Sequence, residues 1–366
     1  MNPSVTTDRI YNFSAGPAIL PESVLEKIRE DVWNIDGSGI GVLEHSHRGP
    51  IADVIFEQAE ARCREIGNIS DDHAVLFIQG GATGQFGMIP MNYLPEDGTA
   101  DYPDTGTWTK KAIEDARVFG NVNVAFEGSK TSYDHVPTAE ELTLTPGAAY
   151  FHYCSNNTVM GTRFTNPPET DAPLICDASS EFFARPMDIN RHAMVYGGAQ
   201  KNLGPSGVAL VIVHREMFAK ACRNLPSLSD YARHDKAGSR LNTPPVFGVY
   251  CMNLVFEWIL AEGGVDAFEK RNADKANIIY NAIDNSGGFY KGHSYVECRS
   301  DMNITFHLPS EDLEKKFLKE AEEHSMSGLA GHRSLKGIRA SIYNAFPTKG
   351  CEFLASFMND FASRNG

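Results

Sequence analysis

The sequence predicts an α/β protein in which helices cover a mostly parallel sheet, followed by a smaller α+β unit. Three observations indicate this fold class: near-continuous apolar runs, amphipathic segments between them, and shorter, mixed helix and strand patterns beyond about residue 265. A parallel strand is buried on both faces, so it reads as an apolar run rather than as an alternating pattern. With 366 residues, 42% of them hydrophobic, the chain is long enough for two domains.

Five apolar runs are candidate strands of the sheet, and they lie at residues 74–79, 148–154, 173–179, 193–198 and 208–214. Two early helices are signalled by prolines. Pro21 is a candidate first helical residue before ESVLEKIREDVW, and Pro50 opens a segment that runs to about Arg64. We therefore expect an N-terminal arm over residues 1–16 and a large domain over residues 17–265.

The elements predicted beyond residue 265 are shorter and mixed. They are a helix at 266–284, a strand at 304–308, a helix from about Ser310, a strand at 338–344 and a final helix. This pattern is typical of a small α+β unit, so residues 266–366 are predicted to form a second domain.

Charge and cysteine content exclude several classes of protein. The net charge is −14, from 33 basic and 47 acidic residues, whereas a nucleic-acid-binding protein is normally basic. The seven cysteines are scattered without a CxxC pair, and no apolar run approaches the length of a membrane span. We expect a cytoplasmic protein that binds neither nucleic acid nor membrane. An anionic substrate would need a local basic cluster.

One glycine turn has the features of a phosphate-binding loop. The strand candidate at 74–79 runs directly into GGATGQF, and such a turn before a helix exposes backbone N–H groups at a positive dipole end. A plain strand-to-helix connection is the alternative. The GSGIG segment at 37–41 lacks the spacing of a dinucleotide site and is interpreted as a loop.

Two charged residues follow neighbouring strand candidates. Asp177 ends one apolar run, and Lys201 follows the next within GGAQKNLGPSG. Adjacent strands of a doubly wound sheet would bring both residues to one crevice, where such folds bind ligands. The pair could form a salt bridge, or the acid could hold a pyridine nitrogen and the lysine an aldehyde.

Nine blocks spread along the chain favour the second interpretation. They are NFSAGPAILP (12–21), HSHRGP (45–50), FIQGGATGQF (77–86), DTGTWTKKA (104–112), SNNTVMGT (155–162), CDASSEFFARPMDI (176–189), YGGAQKNLGPSG (196–207), LNTPPVF (241–247) and GHRSLKGIRASIYNAF (331–346). In this order they resemble the phosphoserine aminotransferases, a family of pyridoxal-phosphate enzymes of fold type I, class V. The resemblance implies a mostly parallel seven-stranded sheet and a transaminase active in serine biosynthesis.

The resemblance also implies a cofactor site. Lys201 would carry pyridoxal 5′-phosphate as a Schiff base, Asp177 would face the pyridine nitrogen, Trp108 would stack on the ring, and Thr158 would lie near its 3′-oxygen. The implied phosphate contacts are Ala82, Thr83 and Gln200, with Asn242 and Thr243 reaching from a partner subunit. A homodimer with shared active sites follows from that arrangement.

The implied substrates are glutamate, 3-phosphohydroxypyruvate, phosphoserine and 2-oxoglutarate, all of them anionic. The residues implied to bind them are Ser14, His47, Arg48, His332, Arg333 and Arg339. Which arginine binds phosphate and which binds carboxylate stays open. Lys336 stands where the family pattern suggests glycine, and it would be either a solvent-facing charge or an aid to phosphate binding.

Three alternative interpretations remain to be compared with this one: a metal site, a related enzyme with a nucleophilic cysteine, and a non-catalytic binding protein. His45 and His47 could belong to a metal site, but no third ligand completes it, so no metal is expected. A related cysteine desulfurase or lyase would need a nucleophilic cysteine, for which Cys351 is the candidate. A non-catalytic protein that binds the cofactor or an anion would be expected to lack Lys201, Asp177 or an arginine, and none is missing.

Overall fold

The computed structural model describes residues 9–366 of the chain. Within them the helices are α1 (Glu22–Asp31), α2 (Pro50–Gly67), α3 (Ala82–Tyr93), α4 (Thr107–Ala116), α5 (Tyr231–Lys236), α6 (Val246–Ala261), α7 (Gly264–Asp284), α8 (Glu311–Glu323) and α9 (Thr348–Asn365). The strands are β1 (Tyr11–Asn12), β2 (His73–Gln79), β3 (Thr99–Asp104), β4 (Asn121–Glu127), β5 (Phe151–Cys154), β6 (Asn156–Asn157), β7 (Thr162–Arg163), β8 (Leu174–Asp177), β9 (Met194–Gly198), β10 (Val208–His214), β11 (Lys291–Gly292), β12 (Asn303–His307), β13 (Met326–Ser327) and β14 (Ile338–Ser341).

A seven-stranded sheet forms the centre of the large α/β unit. Its strand order is β2-β10-β9-β8-β5-β3-β4, and only β10 runs antiparallel to its neighbours among the paired strands. An antiparallel neighbour can follow its partner through a short connection, whereas parallel strands need a crossover. Residues 199–207, which join β9 to β10, are such a connection, and they contain Lys201. The predicted mostly parallel sheet is confirmed.

All five apolar runs form strands of this sheet, but β3 and β4 were not predicted. The sequence of β3, TADYPD, contains two aspartates and a proline, so it does not read as an apolar run. Asp101 is nevertheless satisfied, because it accepts hydrogen bonds from Asn123 Nδ2 and from the backbone N–H of Thr145. Strand β4 lies at the sheet edge and is only partly buried.

The two proline signals have different outcomes. Pro50 is the first residue of α2, as predicted, and the helix continues to Gly67. Pro21 instead precedes α1 as its N-cap, with an extended ψ of 137°. Its carbonyl accepts the hydrogen bond from the N–H of Leu25, which is the role of a cap rather than of a first helical residue.

The C-terminal part has its own sheet and core. Strands β11, β12 and β14 form an antiparallel sheet, and apolar side chains from α7, α8 and α9 pack with it. Phe13 joins this core, and β1 pairs with β13, so the N-terminal segment packs on the C-terminal part. Helix α7 contributes Phe268 to the core of the large sheet and Ile279 to the second core. The predicted boundaries at residues 16 and 265 stay predictions.

Within residues 9–366, no single helix has the length and apolar character needed to cross a membrane. Helices α6 and α7 meet that criterion only when taken together, and they are bent by 82° where they join.

Candidate active site

The predicted site lies at the carboxyl edge of the parallel strands. Asp177 is the last residue of β8, Thr105 follows β3, and Lys201 follows β9. Helix α3 begins directly after the glycine turn that follows β2. Open α/β sheets bind ligands at this edge because the loops and helix N-termini converge there.

The Lys201 side chain is buried against this edge, with 8% of the residue exposed. Its Nζ donates a 2.6 Å hydrogen bond to Thr158 Oγ1 and lies 5.5 Å from the centre of the Trp108 ring. Burial lowers the pKa of Lys201, and the charge of Asp177 only partly opposes this shift. A lysine with a lowered pKa has more of the neutral amine that attacks an aldehyde.

Asp177 is held by a serine that the sequence analysis did not single out. Its Oδ1 accepts hydrogen bonds from the backbone N–H of Ser179 (2.9 Å) and from Ser179 Oγ (2.6 Å). Burial raises the pKa of Asp177, while the charge of Lys201 and the Ser179 hydrogen bonds lower it. Among residues 9–366 no salt bridge joins Asp177 to Lys201, so the plain salt-bridge interpretation is wrong.

Two polar atoms in the segment that follows β3 lack hydrogen-bond partners within the described part of the chain. They are Nε1 of Trp108 and Oγ1 of Thr105, and both are buried. Buried polar atoms are usually hydrogen-bonded, so two unsatisfied atoms in one short segment at the carboxyl edge of the sheet favour a ligand site there. Gly106, between them, has a φ of 137°, and a Cβ there would lie 2.6 Å from Asn157 Nδ2.

The glycine turn leaves an open anion cradle. Gly81 caps α3 without any side-chain hydrogen bond, and a Cβ at Gly81 or Gly84 would meet nothing within 4 Å. The N–H groups of Ala82 and Thr83 lie in the first turn, where they have no intrahelical partner and the dipole favours a negative charge. Gln200 folds back over the end of β9, since a Cβ at Gly198 would lie 2.5 Å from its Oε1.

These features fit pyridoxal phosphate. The α3 N-terminus suits its phosphate, Trp108 suits a planar ring, Asp177 suits a cationic ring nitrogen, and Lys201 suits an aldehyde. The two unsatisfied polar atoms add hydrogen-bonding capacity for a polar ligand at the same place.

Arg339 brings an unpaired positive charge to the same crevice. Its Nη1 donates to the carbonyl of Thr158 at 3.4 Å, and its buried Nε has no partner in residues 9–366. Burial lowers the pKa of Arg339, and the charge of Arg339 in turn lowers the pKa of Lys201. A partly buried guanidinium without an acidic partner is stabilised when an anion binds it.

His332 and Arg333 lie next to Arg339. Burial and the charges of Arg339, Arg333 and Lys111 lower the pKa of His332, whose Nδ1 is 2.7 Å from Ser334 Oγ. Arg333 is exposed, and no salt bridge involves Arg333 or Arg339 in the part of the chain that is described. The group as a whole is suited to bind an anion.

Lys336 does not belong to this group. Its Nζ lies 2.6 Å from Glu311 Oε1, and 65% of its side chain is exposed. This favours the solvent-facing interpretation over a role in phosphate binding. Its φ of 60° lies in the left-handed region, which explains why glycine suits the position.

The remaining predicted residues lie in two places. Ser14 packs on Gly328, where a Cβ would lie 2.5 Å from its Oγ. His47 and Thr243 line one surface cavity of about 510 Å³ that does not include Lys201, and Arg48 is exposed beside it. Asn242 donates from Nδ2 to Gln79 Oε1 at 2.6 Å, so it lies beside the glycine turn of its own chain.

The sequence analysis also missed Thr105 and Lys111. Both lie inside the DTGTWTKKA block, and the block was therefore the available signal. Neither residue type is diagnostic alone, because isolated threonines and lysines usually occupy ordinary surface or loop positions.

Two alternatives concern Cys351 as a nucleophile and a metal site that includes His45. Cys351 is fully buried in α9, and burial raises its pKa to about 12, which is opposite to the lowered pKa of a nucleophilic thiol. His45 Nε2 lies 3.0 Å from Ser38 Oγ. Residues 9–366 contain no group of three histidines, cysteines or acids that could hold a metal ion.

Comparisons with known proteins agree with the fold and with pyridoxal phosphate as the cofactor. Residues 10–354 match the family model "Aminotransferase class-V". A phosphoserine aminotransferase from Herpetosiphon aurantiacus is 47% identical over 98% of this chain and 99% of its own length. The structure of phosphoserine aminotransferase from Bacillus circulans subsp. alkalophilus superposes with a TM-score of 0.96 and 46% identity, covering 98% of this chain and 100% of that one. The pyridoxal-phosphate-bound enzyme from Trichomonas vaginalis has a TM-score of 0.91 and 35% identity, covering 96% and 99%.

Proposed function

This chain belongs to the class-V aminotransferase family, and we propose that it transfers the amino group between L-glutamate and 3-phosphohydroxypyruvate, forming O-phospho-L-serine and 2-oxoglutarate. The reaction is reversible, depends on pyridoxal phosphate and supplies serine biosynthesis. The observation that carries the proposal is Arg339, which has no salt-bridge partner within residues 9–366 and whose charge acts on both Lys201 and His332. A protein of net charge −14 that concentrates basic groups at a buried amine is suited to bind a doubly anionic amino acid.

The residues of the chain have separable roles in this reaction. Pyridoxal phosphate, when bound, supplies an aldehyde for a primary amine and a ring that accepts electrons released at the substrate carbon. Lys201 would hold the cofactor, and its free Nζ would take a proton from the substrate Cα. Thr158 Oγ1 accepts a hydrogen bond from that nitrogen and orients it. Asp177 would balance the positive charge of the ring nitrogen.

Arg339 is the cation of the group that lies closest to the reacting centre. It contacts Thr158, which itself contacts Lys201, so it is placed to bind the carboxylate beside the reacting carbon. His332 and Arg333 lie farther along the same segment and would bind the phosphate. The N-terminal loop that carries Ser14 borders Lys201, since a Cβ at Gly16 in this loop would lie 3.3 Å from Lys201 Cγ.

A homodimer would bring the remaining residues to the site. His47, Arg48 and Thr243 lie on a surface of the chain, in a region with exposed apolar side chains such as Trp33 (85% exposed) and Leu43 (59% exposed). Such apolar exposure is typical of a subunit interface. Association through this surface would let these residues and Asn242 complete the partner's site. A cytoplasmic location is consistent with seven free cysteines.

The test of the function is a half-reaction. Purified holoenzyme is titrated with phosphoserine in the absence of any keto acid, and both the visible band of the bound cofactor and the 3-phosphohydroxypyruvate released are measured. Loss of the band with one equivalent of keto acid supports the proposal. Loss of the cofactor band with another amino acid but not with phosphoserine would overturn the proposed substrate. Lys201→Ala should fold, lose the covalently held cofactor and lose turnover, and unaltered turnover would overturn the mechanism.

The shared site is tested by mixing two inactive variants. Lys201→Ala and Arg48→Ala chains are combined, dissociated and reassociated, and turnover is measured. If each site uses both chains, half of the dimers are mixed and one of their two sites is intact, so about a quarter of wild-type activity returns. Activity that stays at the level of the two parents would contradict the shared site.

A further inference from the structure

We propose that Lys111, on α4, is a further substrate-binding residue, whose ammonium group contacts the phosphate of the substrate beside His332 and Arg333. The proposal rests on the proposed phosphoserine aminotransferase activity and adds a specificity-determining residue to that site. It is carried by three observations: the position of Lys111 on the Trp108 ring, its proximity to His332, and its lack of an acidic partner.

Lys111 borders the same aromatic ring as Lys201. It lies three residues after Trp108, so both side chains project from one face of α4. Lys111 Nζ is 5.0 Å from the centre of the Trp108 ring, and Lys201 Nζ is 5.5 Å from the same centre. The ring therefore places Lys111 at the edge of the crevice that holds Lys201.

Tertiary structure brings Lys111 to the basic segment before β14. The charges of Arg339, Arg333 and Lys111 act on His332 and, with burial, lower its pKa. Lys111 is more than 200 positions from these three residues in sequence, so only the folding of the chain brings its charge within range of His332. Lys111 is thus part of a four-residue basic cluster with His332, Arg333 and Arg339.

The cluster is not neutralised by the chain itself. Within residues 9–366, Lys111 takes part in no salt bridge. Lys336 pairs with Glu311, and Lys110, one residue before Lys111, lies over the Tyr133 ring and is influenced by the charge of Asp104. Lys111 is exposed, so water also solvates its charge, but on an acidic chain a cation that lies near other cations without a salt-bridge partner favours an external anion at that place.

The chemistry of the cluster favours phosphate over a second carboxylate. A phosphate monoester carries nearly two negative charges at pH 7 and three acceptor oxygens, so it can bind several donors at once. Lysine supplies a point charge that suits such a group, while arginine supplies the two-point contact. Lys111 should therefore contribute more to the binding of phosphoserine than to the binding of glutamate, because the side-chain carboxylate of glutamate carries only one charge.

The experiment compares holoenzyme variants in steady-state kinetics. Lys111→Met removes the charge, Lys111→Arg retains it, and Lys110→Met removes the neighbouring charge on the same helix as a matched control. We expect Lys111→Met to raise KM for phosphoserine about 10-fold, with a smaller rise for glutamate and kcat within about 2-fold of wild type. The Arg variant should restore KM, and the Lys110 variant should leave it unchanged.

A second measurement uses inorganic phosphate as a competitive inhibitor of the holoenzyme. Lys111→Met should weaken phosphate inhibition by a similar factor, whereas a role confined to supporting Trp108 would alter the cofactor spectrum and kcat instead. Unchanged KM for phosphoserine, or an equal rise in the Lys110 variant, would overturn the proposal while leaving the proposed function intact. A wild-type enzyme that does not turn over phosphoserine would overturn both.

Discussion

The amine of Lys201 donates a 2.6 Å hydrogen bond to the hydroxyl of Thr158, although the two residues are 43 positions apart. Both residues are buried at the carboxyl edge of the sheet. A hydrogen bond to the charged form of an amine stabilises that form, so Thr158 opposes the burial that lowers the pKa of Lys201. The hydroxyl therefore influences the pH at which the lysine can react.

Replacing Thr158 with valine should move cofactor loading to lower pH. Without the hydroxyl, the ammonium form of Lys201 is less stable and its pKa falls further, by up to about one unit for a hydrogen bond of ordinary strength. The measurement is the rate at which apoenzyme incorporates pyridoxal phosphate as a function of pH. Thr158→Ser keeps the hydroxyl and should behave as wild type. If the Thr158→Val protein incorporated the cofactor with the same pH midpoint as wild type, the proposed effect of Thr158 on the pKa of Lys201 would be contradicted.

Replacing Asp177 with asparagine should weaken both cofactor binding and turnover. The amide is nearly isosteric and can still accept from Ser179, but it cannot balance a positive ring nitrogen. We expect turnover to fall by at least about 100-fold, since buried electrostatic contacts in active sites typically contribute this much. Equilibrium dialysis measures the cofactor affinity separately. Turnover within a few-fold of wild type would remove Asp177 from the mechanism.

Replacing Lys336 with methionine should leave substrate affinity unchanged. Its ammonium is paired with Glu311 and largely exposed, so its charge is directed away from Arg333 and Arg339. We expect KM for phosphoserine to stay within about 2-fold of wild type. A rise comparable to that expected for Lys111→Met would show that Lys336 contributes to phosphate binding after all.

Lys275 should make stability depend on pH above neutrality. It is fully buried in α7, and its Nζ donates to the carbonyls of Ile342 (3.0 Å), Tyr343 (2.8 Å) and Phe346 (3.2 Å). Burial lowers its pKa to about 7, whereas the charge of Cys351 would raise it and that of Arg271 would lower it. Between this pKa and the ordinary lysine value the unfolded chain binds more protons, so stability rises with pH.

The test is the free energy of unfolding at pH 7 and pH 9 at one fixed protein concentration, which removes the effect of association. The contribution of Lys275 should amount to about 2 kcal/mol over this range. Lys275→Met should be less stable overall, because three carbonyls lose their donor, and should lack this slope. Equal slopes in both proteins would show that Lys275 keeps its charge throughout the range.

Local patterns were enough to predict most strands of the central sheet and the two residues at its centre. The runs that became β2, β5, β8, β9 and β10 are apolar because both faces of these strands are buried, so burial is visible in the sequence itself. Asp177 and Lys201 follow two of these runs, and the sheet edge brings them together. Strand β3 could not be predicted in this way, because its aspartates are satisfied by Asn123 and Thr145, which only the folded chain supplies.

The sequence by itself therefore determined the fold class, the family and the chemistry at Lys201, since periodicity and ordered motifs are local properties of the chain. Tertiary structure alone decided which charges face the crevice. Arg339 and Lys111 lie there without an acidic partner, while Lys336 turns to Glu311, although the sequence places Lys336 only three residues from Arg339. The physical reason is that side-chain direction and ion pairing depend on the packing of distant elements, here α4, α8 and β14, and no local pattern encodes that packing.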